Sequence, residues 1–120
     1  MHATQEVLDR HLARFGARDL DGIMSDYAPD AVLFMADGVL RGPDAIRPLF
    51  VALLAEFGKP GAEFRLERSY VDGDHAFIVW SAQTADNVYE LATDTFAVRD
   101  GRIAVQSFAG KVVPKAAGGT

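Results

Sequence analysis

Three side chains in this sequence combine the chemistry and the placement of an acid/base site: Asp94, His11 and Tyr27. Asp94 interrupts a stretch of Ala, Thr, Phe and Val that reads as a β-strand, where a lone carboxylate is expensive to bury unless partners hold it. A carboxyl held in apolar surroundings has a shifted proton affinity, and such shifts cluster at functional sites. His11 recurs with Val7, Leu8, Leu12 and Phe15 at helical spacing, which puts an imidazole inside an apolar stripe. Tyr27 follows Leu20, Ile23 and Met24 at i+7, on the buried side of a second helical pattern. If His11 meets Asp94, the pair can act as general acid and base, with Asp94 orienting the imidazole. Each residue also has a structural reading: a strand acid satisfied by Gln106, Ser81 or backbone donors, a hydrogen-bonded core histidine, and a core tyrosine.

The elements that must carry these residues are legible. Thr4 is a candidate N-cap with Glu6 in the first turn, and Asp19 caps the second helix, which Ala28-Pro29-Asp30 stops. Ala31–Met35 reads as a buried strand, turned by Asp37-Gly38 into Val39–Arg41. Gly42-Pro43-Asp44 opens a third helix with Ile46, Leu49, Phe50, Leu53, Leu54 and Phe57 on one side. Pro48 costs ~3 kcal/mol inside a helix and predicts a kink or a loose first turn. Four strands follow, at 62–71, 75–84, 88–98 and 102–113, and Lys115–Thr120 reads as a frayed tail. The order predicts one α+β domain over residues 1–120, with its core at about 4–113.

The last hairpin decides what surrounds Asp94. With Arg99-Asp100-Gly101 as a three-residue loop, Asp94 pairs with Gln106 and Ala92 with Phe108; a two-residue loop would pair Asp94 with Ser107. The first register predicts a pocket in which Phe77, Val79 and Phe108 enclose a ligand while Gln106 and Ser81 orient it. Arg68, alternating with Leu66 and Tyr70, either snorkels from the sheet end or anchors a carboxylate. The opposite sheet face, with Trp80, Leu91, Ile103 and Val105, is too apolar to be left in water and predicts a homodimer.

Composition removes several function classes. A net charge of −5 lacks the basic footprint of a nucleic-acid binder, and no run approaches the ~20 apolar residues of a membrane span. There is no cysteine, and His2, His11 and His75 are far apart, so neither a metal nor a cysteine nucleophile is expected. No glycine-rich phosphate loop is present, and no cofactor is expected. The N-terminus lacks the pattern of a secretory signal, which predicts a cytoplasmic protein.

Gly-Ala-Arg-Asp-Leu-Asp-Gly-Ile at 16–23, Asp-Tyr-Ala-Pro-Asp-Ala at 26–31, Arg-Gly-Pro-Asp-Ala-Ile at 41–46 and Asp-Thr-Phe-Ala-Val-Arg-Asp-Gly-Arg-Ile at 94–103 together resemble the nuclear transport factor 2-like superfamily. Within it the chain resembles the SnoaL-like branch, which includes polyketide cyclases and ketosteroid isomerases. The resemblance implies a cone-shaped, cystatin-like curved antiparallel sheet packed against three helices, a pocket between them, and a dimer. It implies that Asp94 matches the isomerases' proton-donating strand aspartate, Tyr27 a supporting tyrosine and His11 their oxyanion-hole tyrosine. Met35 stands where those enzymes carry their catalytic base, which argues against steroid isomerisation. The expected function is a small cofactor-free acid/base isomerase, cyclase or lyase acting on a hydrophobic, carbonyl-bearing small molecule. The alternative is a non-catalytic binding or dimerisation module of the same fold. A third reading, a hydrolase using paired carboxylates, would need Glu90 beside Asp94.

Overall fold

The apolar stripes turn inward as three helices, in a computed structural model that describes residues 3–116. These are α1 (Ala3–Gly16), α2 (Leu20–Ser25) and α3 (Pro43–Phe57). Val7, Leu8, Ile23, Met24, Ile46 and Phe50 are their buried apolar residues, packed on the inner face of a single sheet. The Asp19 carboxylate accepts from Gly22 N–H at 3.0 Å and caps α2. Pro48 lies within an unbroken α3. Thr4 lies inside α1 rather than capping it, and its hydroxyl donates to the Gly73 carbonyl.

The six strands are β1 (Tyr27–Met35), β2 (Gly38–Arg41), β3 (Glu63–Asp72), β4 (His75–Gln83), β5 (Asn87–Arg99) and β6 (Arg102–Pro114). Their order is β2-β1-β6-β5-β4-β3, with β1 and β6 parallel and every other pair antiparallel. Bulges in β3, β5 and β6 bend the sheet around the helices, giving the expected α+β cone. Tyr27 opens β1, opposite Ile103, instead of closing the second helix. β6 runs through Pro114, and of the predicted tail residues 117–120 lie outside the described part.

Local irregularities, invisible to a period-two reading, set the faces. The last hairpin turns on two residues, Asp100 (φ 54°) and Gly101 (φ 75°), with Arg99 opposite Arg102. That brings Ile103 opposite Val98 and into the core at 1 % exposure, not onto the outer face. An extra residue on β6, Ala104, then restores the parity, so Asp94 faces Phe108, Phe96 faces Gln106 and Ala92 faces Gly110. A Cβ on Gly110 would sit 2.9 Å from the Leu91 carbonyl oxygen, so only glycine allows this approach. The predicted partner pairing was therefore off by one pair, while the predicted set Ala92, Asp94, Phe96, Gln106 and Phe108 does share a face.

Four expected pocket residues fall elsewhere. Ile78 is opposite Asp94, and directly opposed residues share a face, so Ile78 and Trp80 point inward while Phe77 and Val79 point outward. Trp80 accordingly leaves the predicted outer patch. A bulge at Glu67 flips the second half of β3, carrying Arg68 with Tyr70 to the outer side, where it is exposed. The Ser81 hydroxyl donates to Glu67 at 2.7 Å, away from the pocket. Glu90 is an exposed bulge residue near Lys111, so the paired-carboxylate arrangement does not form.

Candidate active site

Asp94 sits midway along β5 facing the helices, 7 % exposed. Trp80, on β4, donates its indole N–H to Oδ2 at 2.8 Å, and Gln106, diagonally across on β6, donates its amide to Oδ1 at 2.9 Å. The Tyr27 hydroxyl donates to Gln106 Oε1 at 2.5 Å. His11 Nε2 lies 3.4 Å from that hydroxyl, and its Nδ1 lies 3.0 Å from Asp26 Oδ2. Asp26 is wholly buried, and its other oxygen accepts from Arg10 and Arg14. Among the described residues no buried side-chain donor or acceptor is left without a partner.

Hydrogen counting fixes the polarity of this chain. Trp80 can only donate, so it meets an acceptor oxygen of Asp94. Gln106 must present its NH₂ to the carboxylate and therefore its carbonyl to Tyr27. With Asp26 as a carboxylate, His11 donates from Nδ1; because the Tyr27 hydrogen goes to Gln106, the Nε2–Tyr27 contact is a hydrogen bond only in the imidazolium, which carries a hydrogen on Nε2 as well. The Gln106 amide passes polarity along the chain but not a proton. Asp94 consequently gains or loses its proton on the pocket side alone.

Burial raises Asp94 to about 6, against the lowering effects of hydrogen bonds from Gln106 and Trp80 and the charge of His11. It is thus a carboxyl that changes state near neutral pH. Burial, with the charges of Asp94 and Asp26, also raises Tyr27 well above its usual value and keeps it a neutral donor. Burial alone would raise Asp26 too. Hydrogen bonds from His11 and Arg10 and the charges of His11 and Arg14 outweigh it and hold Asp26 below the usual carboxylate value.

A cavity of about 440 Å³ opens over this floor, within the range of small-molecule sites. Asp94, His11, Gln106 and Trp80 supply its polar atoms at one end; Met35, Phe50 and Phe108 are among its apolar walls. Gly16, Arg18 and Glu63 are exposed lining residues and mark its mouth. Arg18 is unusual: its φ is 54°, a left-handed conformation that costs a side chain of this kind about 1–2 kcal/mol.

The structure thus brings Asp94, His11, Gln106, Phe108 and Met35 to one cavity, with Tyr27 buried behind them as the bridge. His11 and Asp94 do not meet; the carboxylate that orients the imidazole is Asp26. Asp26 and Trp80 are the residues that sequence reasoning missed. A signal for Asp26 existed: Arg10, His11 and Arg14 share one side of α1 and require an acid facing them. Among the described residues no group of three His, Asp or Glu forms a metal-ligating cluster, and no helix is long and apolar enough to cross a membrane.

Comparison with solved structures places this architecture among known proteins. A nuclear transport factor 2-like protein of unknown function from Mesorhizobium loti shares 28 % identity over 92 % of both chains, with a TM-score of 0.78. A provisionally assigned polyketide cyclase from Sinorhizobium meliloti shares 24 % identity, over 87 % of this chain and 94 % of that one, with a TM-score of 0.73. SalBIII, described as an epoxide hydrolase/cyclase-like enzyme in pyran-ring formation in the polyether salinomycin, superposes with a TM-score of 0.78 at 14 % identity, over 93 % of this chain and 95 % of its own. No match is found among curated proteins. Residues 8–106 match the model of the SnoaL-like domain, and the chain belongs to that family.

Proposed function

We propose that this protein is an acid/base enzyme, an isomerase, cyclase or lyase, that moves a proton on a hydrophobic, carbonyl-bearing small molecule with Asp94 as the shuttle. The observation that carries this reading is the position of Asp94. It lies at the end of an apolar cavity, accepts one donor on each oxygen, and has its affinity raised to about 6. Near neutral pH the carboxylate predominates and takes a proton from the carbon beside a carbonyl, the electron pair moving onto the carbonyl oxygen. Returned to another carbon, that proton completes an isomerisation. If the enolate carbon first attacks a second electrophile in the same molecule, a ring closes. One residue thus serves as base and then acid, which suits a site with Met35 where a separate base would stand. As the imidazolium held by Asp26, His11 can share its Nε2 hydrogen with the carbonyl oxygen and polarise it. The cyclase descriptions of two structural relatives support the same class. The test is turnover of cyclisable polyketone and enone substrates by wild type, Asp94→Asn and His11→Ala; equal rates in all three would remove the assignment.

We propose further that the active form is a homodimer through the outer sheet face. One row crosses all six strands as Val39, Phe34, Ser107, Thr95, Phe77 and Tyr70. Leu91 and Val105, both exposed, extend it. About five strand spacings of ~4.8 Å by about eight residues at ~3.3 Å give a footprint of roughly 600 Å², approaching the ~800 Å² that each partner of a stable complex buries. Such a patch can meet its own copy across a two-fold axis.

A further inference from the structure

We infer that Arg18 is an anion anchor at the cavity mouth, and that the ligand of this site is an amphipathic carboxylate with its acid group outward and its reacting end at Asp94. The inference rests on the reading of the cavity as a small-molecule site.

Arg18 occupies the position after α1 where the chain turns left-handed: its N–H bonds the Phe15 carbonyl at 3.0 Å, and the next N–H, of Asp19, reaches back to Arg14 at 2.9 Å. That helix-ending geometry favours glycine or asparagine. An arginine here is strained, and no local hydrogen bond of its side chain compensates: among the described residues its guanidinium makes neither an ion pair nor a hydrogen bond. The side chain instead lies over the end of α3, its Cδ 3.7 Å from where a Cβ on Gly58 would stand, and lines the cavity. Strain retained at a cavity rim points to use of the side chain.

Among the described residues, the other charged side chain lining the mouth is Glu63, whose Oε1 accepts from the Gln83 amide at 3.4 Å along the neighbouring strand. Between mouth and floor the walls are mostly aliphatic and aromatic side chains, Leu and Phe above all. A ligand matching this order carries a carboxylate, an apolar body and a carbonyl or hydroxyl end. A guanidinium offers a planar fork to the carboxylate and is the right cation for it. In a chain of net charge −5, it also supplies a local positive field where an acid must enter.

Trp80 is the only tryptophan, lines the cavity and bonds Asp94, so its fluorescence reports binding without any turnover. The full chain is titrated with octanoate, octan-1-ol and octylamine. Octanoate is expected to bind about tenfold more tightly than octanol, with the preference shrinking as salt rises. Arg18→Gly should abolish the preference while leaving octanol affinity unchanged, and it should raise the unfolding midpoint because the strain is gone. Asp94→Asn should keep the preference. Equal binding of octanoate and octanol, tighter binding of octylamine, or a preference that survives Arg18→Gly would overturn the anchor while leaving the small-molecule site intact. No response of Trp80 to any of the three would overturn both.

Discussion

His11 and Asp94 stand at opposite ends of one hydrogen-bonded chain and do not touch: Tyr27 and Gln106 bridge them, and each end has its own anchor, Asp26 for the imidazole and Trp80 for the carboxylate. This separates orientation from proton transfer. Asp26 orients the imidazole, while Asp94 faces the cavity.

Asp94 as the shuttle has a defined pH signature. Activity should climb as pH rises through about 6, as Asp94 ionises, and Asp94→Asn should cost roughly 10²–10⁴ in rate. Gln106→Leu removes a donor that lowers the Asp94 affinity, so the rising limb should move to higher pH in that variant. Rate profiles for the three proteins settle the matter. A limb that stays put in Gln106→Leu would mean that Asp94 is not the titrating group.

The same group leaves a mark on stability. Its folded value, about 6, lies above the unfolded value near 3.9, so its stabilising contribution is full below pH ~4 and is lost as pH rises through 6. Between pH 4 and pH 7 wild type should lose up to ~3 kcal/mol relative to Asp94→Asn, two units at about 1.4 kcal/mol each. Denaturant titrations of both proteins across that range measure the difference directly, with other groups cancelling. Parallel stability curves would count against the raised affinity.

How far the sequence revealed this site depended on what each residue's signal was. His11 was legible because helical periodicity is regular over α1, and Asp94 because a charge in an apolar strand is conspicuous. The faces of β3 and β4 were not legible. A single bulge at Glu67 reverses Arg68, and nothing in Phe77-Ile78-Val79-Trp80 says which alternate pair faces in when both pairs are apolar. The β5–β6 face survived only because two errors of register cancelled, the tight turn at Asp100-Gly101 and the bulge at Ala104. Asp26 was signalled only indirectly: Arg10, His11 and Arg14 on α1 call for an acid, but which acid answers, 12 to 16 residues on, is decided by packing.

Asp26 is the residue on which the assembly should depend most for folding. Its carboxylate is fully buried and faces Arg10, His11 and Arg14; replacing it leaves cations gathered around an uncharged group. Asp26→Asn should destabilise by about 3–5 kcal/mol, the usual cost of breaking a buried pair from one side. Because its carboxyl is held below the usual value, the stability it contributes is present above pH ~4 and disappears as pH falls through the folded value. Denaturant unfolding at pH 7 and pH 3 should therefore show a large gap between wild type and Asp26→Asn at the first and a smaller one at the second. A variant as stable as wild type at pH 7 would show that the cluster is dispensable.

The outer sheet face makes the last prediction. Phe77 and Tyr70 lie side by side on β4 and β3, with Phe34 further along the same row on β1, all exposed on the single chain. Against a second copy, a carboxylate within this row would be desolvated against apolar side chains with no cation opposite it. Phe77→Glu should therefore convert a dimer to a monomer in sedimentation or light scattering, while the Trp80 environment on the inner face stays unchanged. The substitution points away from the core, since Phe77 is 36 % exposed and its pairing partner Thr95 is also on the outer side, so the monomer should keep its fold. Wild type sedimenting as a monomer at micromolar concentration would refute the interface outright. A Phe77→Glu variant still dimeric would move the interface to another surface.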